Sequence, residues 1–239
     1  MTDSMPKWKF LSGSALKLIA MITMLIDHAA YYLLYDFEFM NVALITVLGK
    51  EITAYYIFRT IGRLAFPLYC FLLSEGFAHT RNHKKYILNL FIFAILSEIP
   101  WNFAHTGTLF YDRQNIFFTL LLGYLALYFI ENLKTRPLMQ IVSVVGLLGL
   151  SLIIRADYGN MGFIAVITMH LLRQNPLPRA IIFPCLLSSR FRAALAFIPI
   201  AFYNGKRGFI RGRVGKYICY AFYPIHILIL ALIRIFLVK

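Results

Sequence analysis

The chain has 239 residues, 60% of them hydrophobic and 14% charged, with a mean hydropathy of +0.71. That balance excludes an ordinary soluble domain, a disordered chain and a collagen-like one. Lys and Arg number 24 against 10 Asp and Glu, a formal charge of +14, and in so apolar a chain the excess marks cytoplasmic membrane loops rather than a nucleic-acid surface.

In chain order, with about 20 apolar residues needed to cross a bilayer, the predicted spans are Ser14–Tyr35, Ile61–His79, Tyr86–Phe103, Asn115–Ile130, Leu138–Ile154, Tyr158–Leu172 and Lys216–Val238. The first run follows Lys7 and Lys9 but continues without a small-residue cleavage site, so it reads as a retained helix and not a signal peptide. Asn41–Phe58 mixes apolar residues with Lys50 and Glu51 and reads as an interfacial or partly inserted helix. Ala180–Leu187 and Arg192–Asn204 are too short to cross at about 1.5 Å per residue; a helical hairpin, a re-entrant pair and two thin tilted helices all fit. The expected fold is an all-α polytopic transmembrane bundle of about 7–10 helices, one integral membrane domain over residues 1–239. Basic clusters at 7–9, 81–85, 134–136, 173–179 and 206–216 alternate with balanced or acidic loops at 36–38, 112–113 and 155–157, which places the N-terminus in the cytoplasm. Cys70, Cys185 and Cys219 sit singly in apolar runs and read as small core residues, with neither a disulfide framework nor a metal site indicated.

Ionisable side chains inside a span cost at least about 2.5 kcal/mol each on insertion scales, so they are the candidate functional residues. Lys17 and His28 are eleven residues apart, three turns or roughly 16 Å along one helix face. The bland reading is a Lys17 that snorkels and an Asp27–His28 pair that meets partners on other helices. Adjacent residues project about 100° apart, so Asp27 is expected to meet another helix rather than clamp the His28 ring. In the next span Arg63, Pro67 and Ser74 fall at spacings of four and seven, one face, with Glu75 beside Gly76. Arg63 is either an interface anchor or a functional cation, and Glu75 calls for a partner or a wet cavity. His79 and His83 lie in a basic loop and read as surface histidines. Glu98 precedes Pro100, which is expected to break or kink its helix, with Trp101 as a headgroup anchor. Asn115 caps the following helix or contacts a ligand. Asp157 and Asn160 are available caps at a turn into a short helix. His226, two residues after Pro224, lies near the middle of the last span. The loop NGKRGFIRGRVGK at 204–216 has the composition of a phosphate cradle without its spacing and reads as a leaflet-facing basic loop.

Taken together, LIDH at 25–28, GRLAFPLYCFLLSEGF at 62–77, SEIPWN at 97–102, NIFFTLLLGY at 115–124, DYGNMGF at 157–163 and YPIHILIL at 223–230 resemble the TraX family of bacterial membrane proteins. Residues 36–58 and 174–204 carry no motif of that family. The resemblance implies N-acetylation of pilin, and a kinship with membrane acyltransferases that include glycan O-acetylases and the lysosomal heparan N-acetyltransferase. It also implies that His28, eleven residues after Lys17, is the catalytic base, with Asp27 completing an Asp–His pair, and it matches Arg63, Pro67 and Phe71 and then Tyr223, Pro224 and His226 to family positions.

The expected activity is acetyl transfer from acetyl-CoA, entering from the cytoplasm, to an amine such as the N-terminus of pilin or to a hydroxyl of a surface glycan, without a metal. Asp27, His28 and His226 form the expected catalytic set. Lys17, Arg63, Ser74, Glu75, Asn115 and Tyr223 are the expected substrate or CoA contacts, Lys17 and Arg63 through phosphate. The expected partners are acetyl-CoA, membrane lipids and the acceptor, with no nucleic acid, in the bacterial inner membrane. Competing readings are a proton-coupled transporter or flippase, which would use the same in-span carboxylates and histidines, and a non-catalytic assembly partner for surface appendages.

Overall fold

A computed structural model describes residues 6–237. Among them, helices Gly13–Leu34, Ala54–His79, His83–Thr106 and Gly212–Phe236 are long and apolar enough to cross a membrane, and Ile116–Asn132, Pro137–Ile153, Gly159–Leu171 and Phe191–Ala201 are shorter apolar segments. The protein is an all-α membrane bundle. It divides into two compact units, one built from the residues up to Tyr69 and from Phe191 onward, the other from Cys70–Arg190.

In the first unit α1 (Gly13–Ala29) passes directly into a π-helical turn at Ala30–Leu34. Ser12 caps its start by accepting from the Ala15 amide, and the amides of Gly13 and Ser14 donate to the carbonyls of Lys206 and Arg207 at 2.8 and 2.9 Å. The Ser14 hydroxyl donates to the Arg207 carbonyl at 2.7 Å and accepts from the Ile210 amide at 2.8 Å. Amides that a phosphate would seek at a helix start are thus taken up by loop carbonyls, and the basic loop serves as a clasp on α1. Gly208 makes the approach possible: its φ is +88°, and a Cβ there would stand 2.3 Å from the Ser12 hydroxyl.

The short α2 (Glu38–Asn41) leads into β1 (Ala43–Val47) and β2 (Lys50–Thr53), an antiparallel hairpin with Val47 opposite Lys50. The helix expected over Asn41–Phe58 is therefore corrected to a hairpin followed by α3 (Ala54–Gly62). The reason is local. Leu48 and Gly49 both hold positive φ, 50° and 74°, the two-residue type I′ geometry that matches strand twist, and the flanking ALITV and KEIT runs are rich in β-branched residues. Thr53 then caps α3 by accepting from the Tyr56 amide at 3.0 Å.

α3 ends at Gly62, and α4 (Ala65–His79) starts after a two-residue break at Arg63 and Leu64. Arg63 therefore caps the end of α3 and lies outside the helix that carries Pro67 and Ser74. Pro67 falls in the first turn of α4, where its missing amide has no intrahelical acceptor to lose. The last helix of this unit, α12, runs over Gly212–Leu237; Val238, the end of the predicted span, lies outside the described residues.

In the second unit α5 (His83–Thr106) runs through Pro100 without interruption and ends at Gly107 with φ +69°, so Pro100 does not break it. Trp101 is buried, and its indole donates to the Arg113 carbonyl at 2.9 Å; it is not a headgroup anchor. α6 (Ile116–Asn132) lies against α5, α7 (Pro137–Ile153) and α8 (Gly159–Leu171). Gly123 lets α8 close in, since a Cβ there would meet Val166 Cγ1 at 2.6 Å. Leu88, Phe91, Ile95 and Ile99 on α5, and Leu138, Ile141, Val142 and Val145 on α7, are exposed, stripes suited to lipid rather than water. The segment expected as one pair of short helices is three: α9 (Pro176–Cys185) in this unit, α10 (Arg190–Ala194) starting at its boundary, and α11 (Phe197–Ala201) in the first unit. Of the cysteines Cys70 is buried, Cys219 intermediate and Cys185 exposed, so the core reading fails for Cys185.

Candidate functional site

The first unit brings α1 and α12 together at two imidazoles. His28 Nδ1 and His226 Nε2 are 2.7 Å apart, and the rings are nearly parallel, 8° between planes with centroids 5.0 Å apart. His226 Nδ1 lies 2.7 Å from the carbonyl of Phe222, one turn earlier on its own helix. A carbonyl only accepts, so Nδ1 of His226 carries the proton and, in the neutral ring, Nε2 carries the lone pair. His28 must then donate from Nδ1, which leaves the lone pair of His28 on Nε2. The chain of donors thus runs from His28 through His226 to a backbone oxygen, and the tautomer of each ring follows from the next partner.

Aromatic rings surround the pair. Phe222 stacks on His226 at 4.7 Å, and Tyr32 and Tyr223 flank His28 at centroid distances of 5.8 and 6.2 Å. Tyr32, Tyr223 and His226 are buried. Beside the rings, Asp27 turns to α3, as the angular spacing from His28 required: its Oδ2 meets Arg59 Nη1 at 2.8 Å. Gly62 makes room for this carboxylate, because a Cβ there would stand 2.1 Å from Oδ1. Arg59 also lies over the Tyr31 ring at 5.1 Å, and the charges of Arg63 and Arg192 act on Asp27 as well. Lys17 sits on the same helix, within electrostatic reach of Cys219 and Arg207.

Ser74, Glu75 and Asn115 belong to the second unit. Asn115 caps α6: its carbonyl oxygen accepts from the Phe117 amide at 3.0 Å, and its Nδ2 donates to the Ala94 carbonyl at 2.8 Å and to Glu98. Glu98 also accepts from the Asn115 backbone at 3.0 Å, so these two in-span polar residues satisfy one another. Glu75 accepts from Arg173 Nε at 2.7 Å and lies 3.7 Å from His79. Ser74 meets His170 Nδ1 at 3.2 Å, and His170 Nε2 meets Glu131 at 3.3 Å, with Lys134 on the same carboxylate at 2.5 Å. His83, read as a surface residue, instead meets the Tyr124 hydroxyl at 2.9 Å.

Sequence reasoning missed Arg59, Glu131, His170, Arg173 and Arg179 as members of polar clusters. Glu131 and His170 close apolar spans and carried the same signal as Glu75, an ionisable group at the edge of lipid. Arg179, grouped with the loop charges, is buried with Nη1 on the Arg173 carbonyl at 3.4 Å and its guanidinium over Phe71 at 5.1 Å. Burial pulls its proton affinity down and Glu75 pulls it back up.

Comparison with known proteins adds a family and a relative. The family described as TraX protein matches residues 12–234. A curated protein of Dichelobacter nodosus, described as a probable fimbrial assembly protein FimC of serogroup H1, is 30% identical over 258 residues, which covers 95% of this chain and 97% of the relative. No solved structure matches.

Proposed function

The chain belongs to the TraX family, and from that premise we propose that it transfers an acetyl group from acetyl-CoA to an amine of a surface protein such as pilin, with His28 as the base. The observation that carries this reading is the 2.7 Å contact between His28 Nδ1 and His226 Nε2, because it assigns a lone pair to His28 Nε2. An α-amino group has a pKa near about 7.7–8.0 and cannot attack a thioester until it loses its proton. His28 Nε2 takes that proton. The amine nitrogen then forms a bond to the thioester carbon, the carbon–sulfur bond breaks, and the CoA thiolate leaves with the second proton that the nitrogen sheds in becoming an amide. The imidazolium that forms passes its Nδ1 proton along the hydrogen bond to His226 Nε2, which spreads the charge over two rings and the Phe222 carbonyl.

Asp27 contributes by position: its pair with Arg59 ties α1 to α3 one residue before the base. Lys17, Arg63 and Tyr223 are the contacts proposed for acetyl-CoA or acceptor in this unit, with the basic loops drawing the nucleotide to a cytoplasmic face of a bacterial inner membrane. The description of the relative as a fimbrial assembly protein supports a pilin-type acceptor over a glycan hydroxyl, which the same base would also serve. The test is acetyl transfer by purified protein in detergent from acetyl-CoA to a peptide with an N-terminal amine. His28→Ala is expected to abolish transfer, and His226→Gln to slow it by about a hundredfold, while both variants remain folded. Transfer at the normal rate by His28→Ala refutes the proposal. A transporter or a non-catalytic assembly partner would show no transfer in any form.

A further inference from the structure

The second unit contains a hydrogen-bonded chain outside the imidazole pair, and its direction is fixed by chemistry. Glu131 is a carboxylate already engaged by Lys134 and therefore accepts, so the proton of His170 resides on Nε2, 3.3 Å away. Nδ1 of His170 is left as an acceptor, and the group it accepts from is the Ser74 hydroxyl at 3.2 Å. Serine donates to imidazole and imidazole donates to carboxylate, which is the order required to remove a proton from a serine hydroxyl and to steady the imidazolium that results. The edge of the Phe77 ring, 5.0 Å from the imidazole at 76°, holds the histidine in this orientation. The three members come from α4, α6 and α8.

A second observation comes from the same stripe of α4. Phe71, Ser74 and Glu75 are three and four residues apart and share one face; they carry Arg179, His170 and Arg173 respectively. Arg179 is only 7% exposed, and among the described residues its Nε has no hydrogen-bond partner. A buried guanidinium with an unused donor, beside an Arg173 already paired with Glu75 and a Lys134 already paired with Glu131, is able to take a further anion.

We propose that Ser74, with His170 as its base and Glu131 orienting that base, is an acyl-accepting group of this protein, separate from the His28 base, specific for an acyl thioester whose anionic tail is held by Arg179. The proposal rests on the proposed function only in taking acetyl-CoA as that thioester. In the step itself the Ser74 Oγ–H bond breaks and its proton passes to His170 Nδ1, an ester bond forms between Oγ and the acyl carbon, the carbon–sulfur bond breaks, and the departing thiolate takes the proton from His170. Water, deprotonated by the same nitrogen, returns Ser74 and releases the carboxylic acid. The net reaction is thioester hydrolysis, with no oxidant or reductant.

The experiment treats purified full-length protein in detergent with acetyl-CoA, quenches it in acid and maps acetyl groups to peptides by mass spectrometry. A parallel sample receives an alkyl fluorophosphonate, which loses fluoride to a serine oxygen whose proton is being withdrawn. Both reagents are expected to label Ser74, labelling is absent in Ser74→Ala, and it slows by about a hundredfold in the near-isosteric His170→Asn. Arg179→Gln is expected to raise the acetyl-CoA concentration for half-labelling by about tenfold, with a smaller effect on the uncharged fluorophosphonate. Running the samples in a His28→Ala background as well separates the two readings: labelled Ser74 with no amine transfer upholds this inference whatever the fate of His28. Absence of both labels from Ser74 in wild type, or full-rate labelling in His170→Asn, overturns it.

Discussion

Gly62→Ala tests the packing that sets Asp27 beside His28. An alanine in place of a helical glycine ordinarily stabilises by about 0.5–1 kcal/mol, so the naive sign is favourable. Here the added Cβ would stand 2.1, 2.2 and 2.4 Å from the Oδ1, Cβ and Cγ of Asp27. Carbon atoms pack at about 3.5–4.0 Å, so α1 and α3 must part by more than about 1 Å or the carboxylate must swing off Arg59. Overpacking of this kind costs about 1–3 kcal/mol, and loosening a largely buried ion pair adds about 1–2 kcal/mol more, less than the ~3–5 kcal/mol lost when one partner of such a pair is removed outright. After the helix gain is subtracted, Gly62→Ala is expected to destabilise by about 1–4 kcal/mol. The assay is thermal unfolding in detergent, with acetyl transfer measured alongside. The decisive control is Asp27→Gly, since Asp27→Ala keeps the Cβ that would clash. In the Asp27→Gly background the same alanine should become neutral or stabilising. An equal loss in both backgrounds would refute the contact as the cause.

Leu48 occupies a left-handed backbone position at the tip of the β1–β2 hairpin and is fully exposed, so Leu48→Asn should tighten the hairpin by about 1 kcal/mol, read as slower amide exchange across β1 and β2. Ser14→Ala removes both side-chain bonds to the 207–210 loop and should cost about 1–3 kcal/mol, visible as faster proteolysis at the loop's lysines and arginines. Asn115→Ala strips α6 of its cap and leaves the Ala94 carbonyl without its Nδ2 donor; a loss of about 1–3 kcal/mol in unfolding free energy is expected, and an unchanged stability would show that the cap contributes nothing.

The long spans were legible because lipid demands length and apolarity of each helix separately. Asp27 and its separation from the His28 ring followed from the helical angle, and the cost of an in-span imidazole singled out both His28 and His226. Their mutual hydrogen bond was not legible, because 198 residues separate them and periodicity carries no information about which helices become neighbours. The hairpin at 43–53 escaped for a different reason: its turn is Leu-Gly rather than Asn-Gly, so the usual punctuation is half missing. The break at Arg63 and Leu64 was hidden by apolar spacing that runs on through both residues. Glu131 escaped because it follows the apolar run that ends at Ile130, where a polar residue looks like the start of a loop, and His170 because it lies within three residues of the end of its predicted span.

The clasp of the 206–210 loop on the start of α1 has a bearing on biosynthesis. Segments on either side of the second unit in sequence complete the first, so a growing chain that has already threaded α1 into the bilayer holds His28 before the His226 ring exists. Only once α12 has been made can the hydrogen bond between the two rings form. Shortened translation products therefore lack the imidazole pair, and the first unit is completed at the end of synthesis.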